Sequence, residues 1–240
     1  MSTLRNIFAD VRMLLSPREC AVCGEELAKG ESFVCTACRF RIPMTGFVEW
    51  EENRMKARLT EFMPLEHVSA LFFFFVQSDW QRAVHDFKYR NRWSYARRLG
   101  EWYGAILQKS GKYGDVDLIV PVPLHPYKRI KRSYNQSDYI ADGISASLGV
   151  EVLHRALVRT VDGESQTRVL RSERWDNVEG VFEVRRPEQL SGRHILLVDD
   201  VCTTGATILS CCVAIRSACR DVRISVATLA ASYQEFGFNG

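Results

Sequence analysis

Two adjacent carboxylates, Asp199 and Asp200, directly follow the apolar run Ile-Leu-Leu-Val at 195–198. An uninterrupted apolar run of this kind predicts a central parallel strand that is buried on both faces. Ligands of parallel sheets bind beyond the carboxyl ends of the strands, which is where both aspartates are expected to lie. Carboxylates there would repel a phosphate but would accept hydrogen bonds from the two hydroxyls of a diol. A carboxylate pair also favours a ligand that arrives with Mg²⁺.

The residues after the aspartates have the composition of a phosphate-binding loop. We predict that the loop comprises Val201, Cys202, Thr203, Thr204, Gly205, Ala206 and Thr207. Small side chains let backbone N–H groups approach an anion, and the start of the next helix adds a positive dipole. Ribose 5-phosphate carries both a diol and a phosphate, so Asp199 and Asp200 are the predicted catalytic residues of a sugar-phosphate site. The alternative is a buried strand whose aspartate only caps the next helix.

Four cysteines near the amino terminus have the spacing of a metal site. Cys20 and Cys23 form one C-x-x-C pair, Cys35 and Cys38 form a second, and eleven residues separate the pairs. Two such turns complete a tetrahedron of thiolates with no open position, which predicts a structural Zn²⁺. The alternative is a pair of redox or chance motifs. Cys202 is interpreted as a packing residue, although the dipole of the following helix offers a way to lower its pKa.

Strand and helix patterns alternate from residue 68 to residue 229, which predicts an α/β fold with a mainly parallel sheet. Predicted strands cover 68–76, 117–122, 150–153, 194–199 and 222–229. Predicted helices cover 80–87, 95–107, 135–148 and 205–219. The polar stretch 46–63 is interpreted as a linker. It separates a four-cysteine zinc module at 17–45 from a larger domain at 65–235.

Composition narrows the class of protein without defining its partner. Apolar residues make up 46% of the 240 residues and charged residues 25%, which is ordinary for a globular protein. The net charge of +3 is not diagnostic of nucleic-acid binding. No apolar run is long enough to span a membrane, and the amino terminus lacks the pattern of a secretory signal. Together with metal-type cysteines, these features predict a cytoplasmic location.

The segment 195–207, ILLVDDVCTTGAT, resembles the phosphoribosyl-pyrophosphate signature of type I phosphoribosyltransferases. More of the chain is similar to the ComF (competence protein F-like) family. The shared features are the four-cysteine module and the segments Phe87–Tyr89, Pro121–Leu124, Arg132–Gln136 and Gln166–Val178. The family usually has Gly-Phe where Ser133 and Tyr134 stand. Loss of that glycine changes how closely the loop can approach a ligand.

The resemblance implies a type I phosphoribosyltransferase-like parallel sheet flanked by helices, with phosphoribosyl pyrophosphate and Mg²⁺ as ligands. It places Lys88 and Arg132 opposite the pyrophosphate, and it makes the segment 159–177 a lid over the site. The implied reaction transfers the phosphoribosyl group to an acceptor, but no pattern identifies the acceptor or a general base. The alternative is a non-catalytic accessory protein of DNA uptake that binds nucleotides or single-stranded DNA. In that role the zinc module would dock a partner, such as another competence protein.

Overall fold

The computed structural model of the chain describes residues 19–75, 80, 84, 93–124, 134–160 and 181–237. The strands are β1 (Val68–Phe74), β2 (Leu118–Pro121), β3 (Glu151–Val152), β4 (Leu157–Arg159), β5 (Phe182–Val184), β6 (His194–Cys202) and β7 (Arg223–Ser232). The helices are α1 (Thr36–Phe40), α2 (Arg54–Thr60), α3 (Trp93–Ser110), α4 (Gln136–Leu148), α5 (Pro187–Leu190), α6 (Ala206–Ala218) and α7 (Tyr233–Phe236). None of these helices combines the length and the apolar character that crossing a membrane requires.

Five strands form one parallel sheet in the order β1-β7-β6-β2-β3. At the centre of the sheet, Leu197 pairs with Val226 of β7 on one side and with Val120 of β2 on the other. Strands β4 and β5 pair separately as an antiparallel ribbon. Because all five main strands are parallel, their carboxyl ends meet at one edge of the sheet. The predicted α/β fold is therefore confirmed.

Strand β6 is buried on both faces, as its unbroken apolar run predicts. Leu196 and Val198 belong to the core that the sheet shares with α3 and α4. Ile195 and Leu197 belong to the core on the opposite face, which α6 covers. This double burial fixes β6 in the middle of the sheet, and β6 runs on to Cys202, past the predicted end at residue 199. Both aspartates are therefore held by strand backbone.

Helices α3 and α4 cross with their backbones in contact. A Cβ atom added to Gly100 would lie 2.3 Å from the carbonyl oxygen of Ile140, and one added to Gly143 would lie 2.2 Å from that of Arg97. Real Cβ atoms do not approach backbone atoms so closely, so only glycine fits at either position. The close crossing places α4, whose first turn lies at the site described below, against the long helix α3.

The helix boundaries near the site follow local signals. The predicted helix at 135–148 is confirmed as α4, which ends at Gly149 in the left-handed region, with φ of 73°. The predicted helix at 95–107 is confirmed within α3. The predicted helix at 80–87 lies outside the described residues, except for Trp80 and Val84.

The interpretation of 46–63 as a linker is wrong. Helix α2 begins after Asn53, whose side chain accepts a hydrogen bond from the Lys56 N–H at 2.9 Å and donates one to the Val68 carbonyl at 2.8 Å. Met55 and Leu59, four residues apart, are fully buried on one face of α2. A helix of two turns is too short to show a clear hydrophobic period, which is why the pattern gave no signal.

Candidate functional site

Asp199 and Asp200 lie near the carboxyl end of β6, and both are half-buried. Ser137, in the first turn of α4, donates a hydrogen bond from Oγ to Asp199 Oδ1 at 3.0 Å. The backbone N–H of Asp200 donates to the same oxygen at 2.8 Å. These two donors hold the Asp199 carboxylate in place near the sheet edge where ligands of parallel sheets bind. Sequence reasoning missed Ser137, because nothing local distinguishes this hydroxyl from any other in a first helical turn.

The predicted phosphate-binding residues turn from β6 into α6 at the same edge. Val201 and Cys202 are the last two residues of the strand, and the exposed Thr203 and Thr204 follow. Gly205 is the N-cap residue of α6, and Ala206 and Thr207 open its first turn. The Ala206 N–H donates to Thr204 Oγ1 at 3.4 Å. The structure thus brings the two carboxylates and the start of a thirteen-residue helix together, as the sequence predicted.

Both the backbone conformation at position 205 and the neighbouring side chain of Leu59 favour glycine there. Its φ of 87° lies in the left-handed region, which side chains with a Cβ atom disfavour. A Cβ atom there would lie 2.5 Å from Leu59 Cδ2, at the end of a buried side chain of α2. Helix α2 is itself tied to the carboxyl-terminal helix by an ion pair between Arg58 and Glu235 at 2.9 Å. The segment 46–63, first interpreted as a linker, therefore contains Leu59, the side chain that packs against Gly205 of the loop.

Replacing Gly205 with alanine is expected to lower the free energy of unfolding by about 2 kcal/mol. The left-handed backbone costs about 1–2 kcal/mol for a residue with a Cβ atom, and displacement of Leu59 adds to this. Urea denaturation measures the loss. In a Leu59→Ala background the same change should cost less, because only the backbone term remains. An equal cost in both backgrounds would show that Leu59 does not confine the loop.

Cys202 is a packing residue. It is buried, with only 2% of its surface exposed, and it belongs to the core shared with α6. Burial raises the pKa of its thiol, and the nearby Asp199 carboxylate raises it further. The suggestion that the helix dipole lowers this pKa is therefore wrong. Within the loop, Cys202 has only its backbone to offer a ligand.

Several predicted residues lie outside the described residues: Lys88, Arg132, and residues 161–177 of the predicted lid. Their roles stay predictions. The end of the Arg132–Gln136 segment is described, and there Asn135 donates hydrogen bonds from Nδ2 to the Val122 carbonyl and to Asp138 Oδ1, both at 3.0 Å. Asn135 therefore fastens the start of α4 to the chain just after β2.

The four amino-terminal cysteines form a cluster that fits a metal ion. Their sulfur atoms all lie within 4.8 Å of one another, and Cys23 Sγ is 3.8 Å from Cys35 Sγ. Zn–S bonds of about 2.3 Å in a tetrahedron place sulfur atoms about 3.8 Å apart, which matches that pair. Burial raises the pKa of Cys20, but backbone N–H donors at Cys23, Cys35 and Val22 outweigh it and lower this pKa to about 7. This lowered pKa favours the thiolate form of Cys20, which is the form that binds metals, whereas burial raises the pKa values of Cys23 and Cys38.

The cluster shares a core with the main sheet and the helices that cover it. Cys20 and Cys38 share a core with residues of α3, and the Arg39 guanidinium lies 5.2 Å from the centre of the Trp102 ring. Further along, the Phe73 N–H of β1 donates to the Pro43 carbonyl at 2.7 Å. The cysteine cluster therefore packs on the helix layer, and the chain that follows it is hydrogen-bonded to the edge strand β1.

Several curated relatives are similar to parts of this chain, whereas no family model matches it. The chain is 26% identical over 129 residues to competence protein F of Haemophilus influenzae, a match that covers 52% of this chain and 56% of that protein. It is 36% identical over 92 residues to DNA utilization protein YhgH of Escherichia coli, covering 38% and 40% respectively. It is 30% identical over 91 residues to competence protein ComFC of Bacillus subtilis, covering 38% and 35%.

The predicted resemblance to the ComF family is confirmed. The chain spans about half the length of competence protein F and less than half of the other two.

Solved structures of phosphoribosyltransferases also show a likeness. A glutamine phosphoribosylpyrophosphate amidotransferase from B. subtilis aligns with 60% of this chain and 30% of its own, at 17% identity and a TM-score of 0.41. A hypoxanthine phosphoribosyltransferase from Staphylococcus aureus aligns with 60% of this chain and 67% of its own, at 14% identity and a TM-score of 0.36. The parallel sheet itself, rather than these distant likenesses, confirms the predicted fold class.

Proposed function

We propose that this chain is a phosphoribosyltransferase-like protein that binds phosphoribosyl pyrophosphate at Asp199–Thr207. The observation that carries the proposal is the meeting of two half-buried carboxylates and the start of α6 at the carboxyl edge of the central strand. The carboxylates would accept hydrogen bonds from the ribose hydroxyls, and backbone N–H groups of the loop would donate to the 5-phosphate. One ligand with a diol at one end and a phosphate at the other satisfies both halves of the site.

Mg²⁺ fits the same edge of the sheet. This ion takes oxygen ligands, and the Asp199 and Asp200 carboxylates supply oxygens at a half-buried position. When bound with the ligand, the ion would offset the charge of the pyrophosphate. The chain's own contribution is to hold the ribose: Ser137 fixes Asp199, and Gly205 lets the loop backbone approach the phosphate.

Transfer of the phosphoribosyl group is the catalytic part of the proposal. Carbon 1 of the ribose would form a bond to the acceptor as its bond to pyrophosphate breaks, with the electron pair leaving on the pyrophosphate. Orientation of the ribose and positive charge around the leaving group would supply the rate enhancement. Lys88 and Arg132 are the residues predicted to face the pyrophosphate.

We further propose that Cys20, Cys23, Cys35 and Cys38 bind a structural Zn²⁺. The sulfur separations and the backbone donors to Cys20 support this assignment. With four thiolates around one ion, no position stays open for a substrate. The role of the metal would therefore be to hold residues 20–38 in the shape that packs on α3.

A second candidate function is an accessory role in DNA uptake. The names of the relatives, which are competence and DNA utilization proteins, favour this role. The ligand would then be a nucleotide or single-stranded DNA, and contacts with a competence protein would run through the cysteine module. Binding of this kind depends on salt because phosphate charges are neutralised.

The test of the phosphoribosyl site is a titration with phosphoribosyl pyrophosphate and Mg²⁺, followed by calorimetry and by thermal shift. The double variant Asp199→Asn, Asp200→Asn should bind at least about 100-fold more weakly, since each charge-assisted hydrogen bond contributes about 1.5–3 kcal/mol. Release of pyrophosphate should fall with binding. The matched control is Glu188→Gln, Asp221→Asn, which removes two exposed carboxylates near the opposite edge of the sheet.

Two results would overturn this assignment. One is a wild-type protein whose melting temperature is raised by neither phosphoribosyl pyrophosphate nor ribose 5-phosphate. The other is unchanged affinity in the double aspartate variant. Salt-dependent binding of single-stranded DNA that survives both substitutions would support the accessory role instead.

A further inference from the structure

A cavity of about 740 Å³ opens beside the carboxyl end of β2. Its walls come from the end of β2, from the start of α4, from residues 154–159, and from Arg185 just after β5. A volume of several hundred Å³ is typical of sites for organic ligands and is far larger than a lone phosphate ion needs. The cavity therefore has room for a metabolite.

Three arginines line this cavity, Arg155, Arg159 and Arg185. In the part of the chain that the structure describes, no carboxylate forms an ion pair with any of the three. Three unpaired cations around one concave space produce a positive potential that is focused by the low-dielectric walls. An anion is the complementary ligand.

Arg159 is the most buried of the three arginines. Its guanidinium lies 5.5 Å from the centre of the Phe182 ring, which supports it from one side. Its Nε atom is buried, and no described residue accepts a hydrogen bond from it. Because Nε is almost inaccessible, an anion in the cavity would contact the terminal nitrogens of this guanidinium instead.

The rest of the lining is either apolar or already engaged. Asp138 is the acidic residue of the lining, and it accepts a hydrogen bond from Asn135 and lies 3.7 Å from His154 Nδ1. His154 also contacts Asp142 at 3.0 Å. The apolar part of the wall comprises Pro121, Pro123, Leu124, Leu157 and Val158. The cavity thus offers a cationic end for a charge and an apolar wall for a carbon skeleton.

We propose that this cavity binds a small organic anion, a carboxylate or a phosphate monoester with an apolar body, whose charge is held by Arg155, Arg159 and Arg185. None of the residues 199–207 lines the cavity, so a ligand can bind here without touching that loop. Helix α4 links the two places, since Ser137 bonds Asp199 while the adjacent Asp138 lines the cavity. A ligand held here would lie next to the carboxylates of β6.

The test uses three probes of similar size: benzoate, phenyl phosphate and the uncharged benzamide. Calorimetric titration of the full chain should detect binding of at least one charged probe at millimolar concentration, and binding of benzamide should be at least about tenfold weaker. Arg159→Gln and Arg185→Gln should each weaken binding of the charged probe about tenfold. Arg220→Gln, an exposed arginine that does not line the cavity, is the matched control and should leave affinity unchanged.

Three outcomes would overturn the proposal: neither charged probe binds, benzamide binds as well as benzoate, or both arginine variants keep the wild-type affinity. The third outcome would mean that the probe occupies another place, such as the loop 201–207. Melting temperatures of the variants confirm that they are folded. The double variant Asp199→Asn, Asp200→Asn should still bind the probe, so failure of the phosphoribosyl site and failure of this one are separable.

Discussion

Replacing Gly143 with alanine is expected to lower the free energy of unfolding by at least about 3 kcal/mol. The added Cβ atom would meet three backbone atoms of α3, the nearest being the Arg97 carbonyl oxygen at 2.2 Å, so the two helices would have to move apart. Helix propensity alone predicts the opposite sign, because alanine stabilises a helix interior by about 1 kcal/mol relative to glycine. Urea denaturation shows whether the substitution lowers or raises the free energy of unfolding. A fall in melting temperature of about 2–4 °C per kcal/mol should accompany the loss.

Gly114→Ala is the matched control for the crossing. Gly114 is not in the left-handed region, and the nearest atom to an added Cβ would be the Gly111 carbonyl oxygen at 3.6 Å, an ordinary contact distance. This variant should unfold within about 0.5 kcal/mol of the wild type. If Gly143→Ala lowered the free energy of unfolding as little as Gly114→Ala, then α3 and α4 would not approach each other as closely as described.

Removing metal from the cysteine cluster should lower the melting temperature by more than about 5 °C. A segment of this size cannot fold on its own core without a metal ion. The loss should reach beyond the cluster, since Cys20, Val22 and Cys38 share a core with α3. Metal analysis should find one zinc ion per chain before chelation, and calorimetry should record the shift afterward. Each kcal/mol of lost stability corresponds to about 2–4 °C in a chain of this length.

Two cysteine variants make the metal test specific. Cys23→Ser removes one member of the cluster and should abolish stoichiometric zinc. Cys219→Ser changes a cysteine outside the cluster and should keep one zinc ion per chain. Equal zinc content in both variants, or a chelated protein with an unchanged melting temperature, would contradict the proposed site.

The elements that carry the candidate site were predictable because their signals are local. The apolar run before Asp199 predicts a strand that is buried on both faces, and β6 has this burial. Glycine at position 149 marks the end of α4 in the left-handed conformation. By contrast, α2 gave no usable pattern, since its two buried residues, Met55 and Leu59, make a single helical repeat.

The support around the site was not predictable, because it joins distant parts of the chain. Ser137 and Asp199 are 62 residues apart, and Leu59 reaches Gly205 from a helix that the pattern did not reveal. Which hydroxyl meets which carboxylate depends on how α4 packs on the sheet, and that packing depends on the glycine contact with α3. The cationic cavity likewise needs four separate segments to come together.

By itself, the sequence determined the composition of the two candidate sites: paired aspartates ahead of a small-residue turn, and two C-x-x-C pairs. These are properties of neighbouring residues, and strand or turn geometry converts their spacing directly into positions in space. Only the tertiary structure decided what surrounds them: Ser137 on Asp199, Leu59 beneath Gly205, and three arginines around one cavity. The physical reason is that hydrophobic packing sets how the helices lie on the sheet, and packing is a property of the whole core rather than of any one segment.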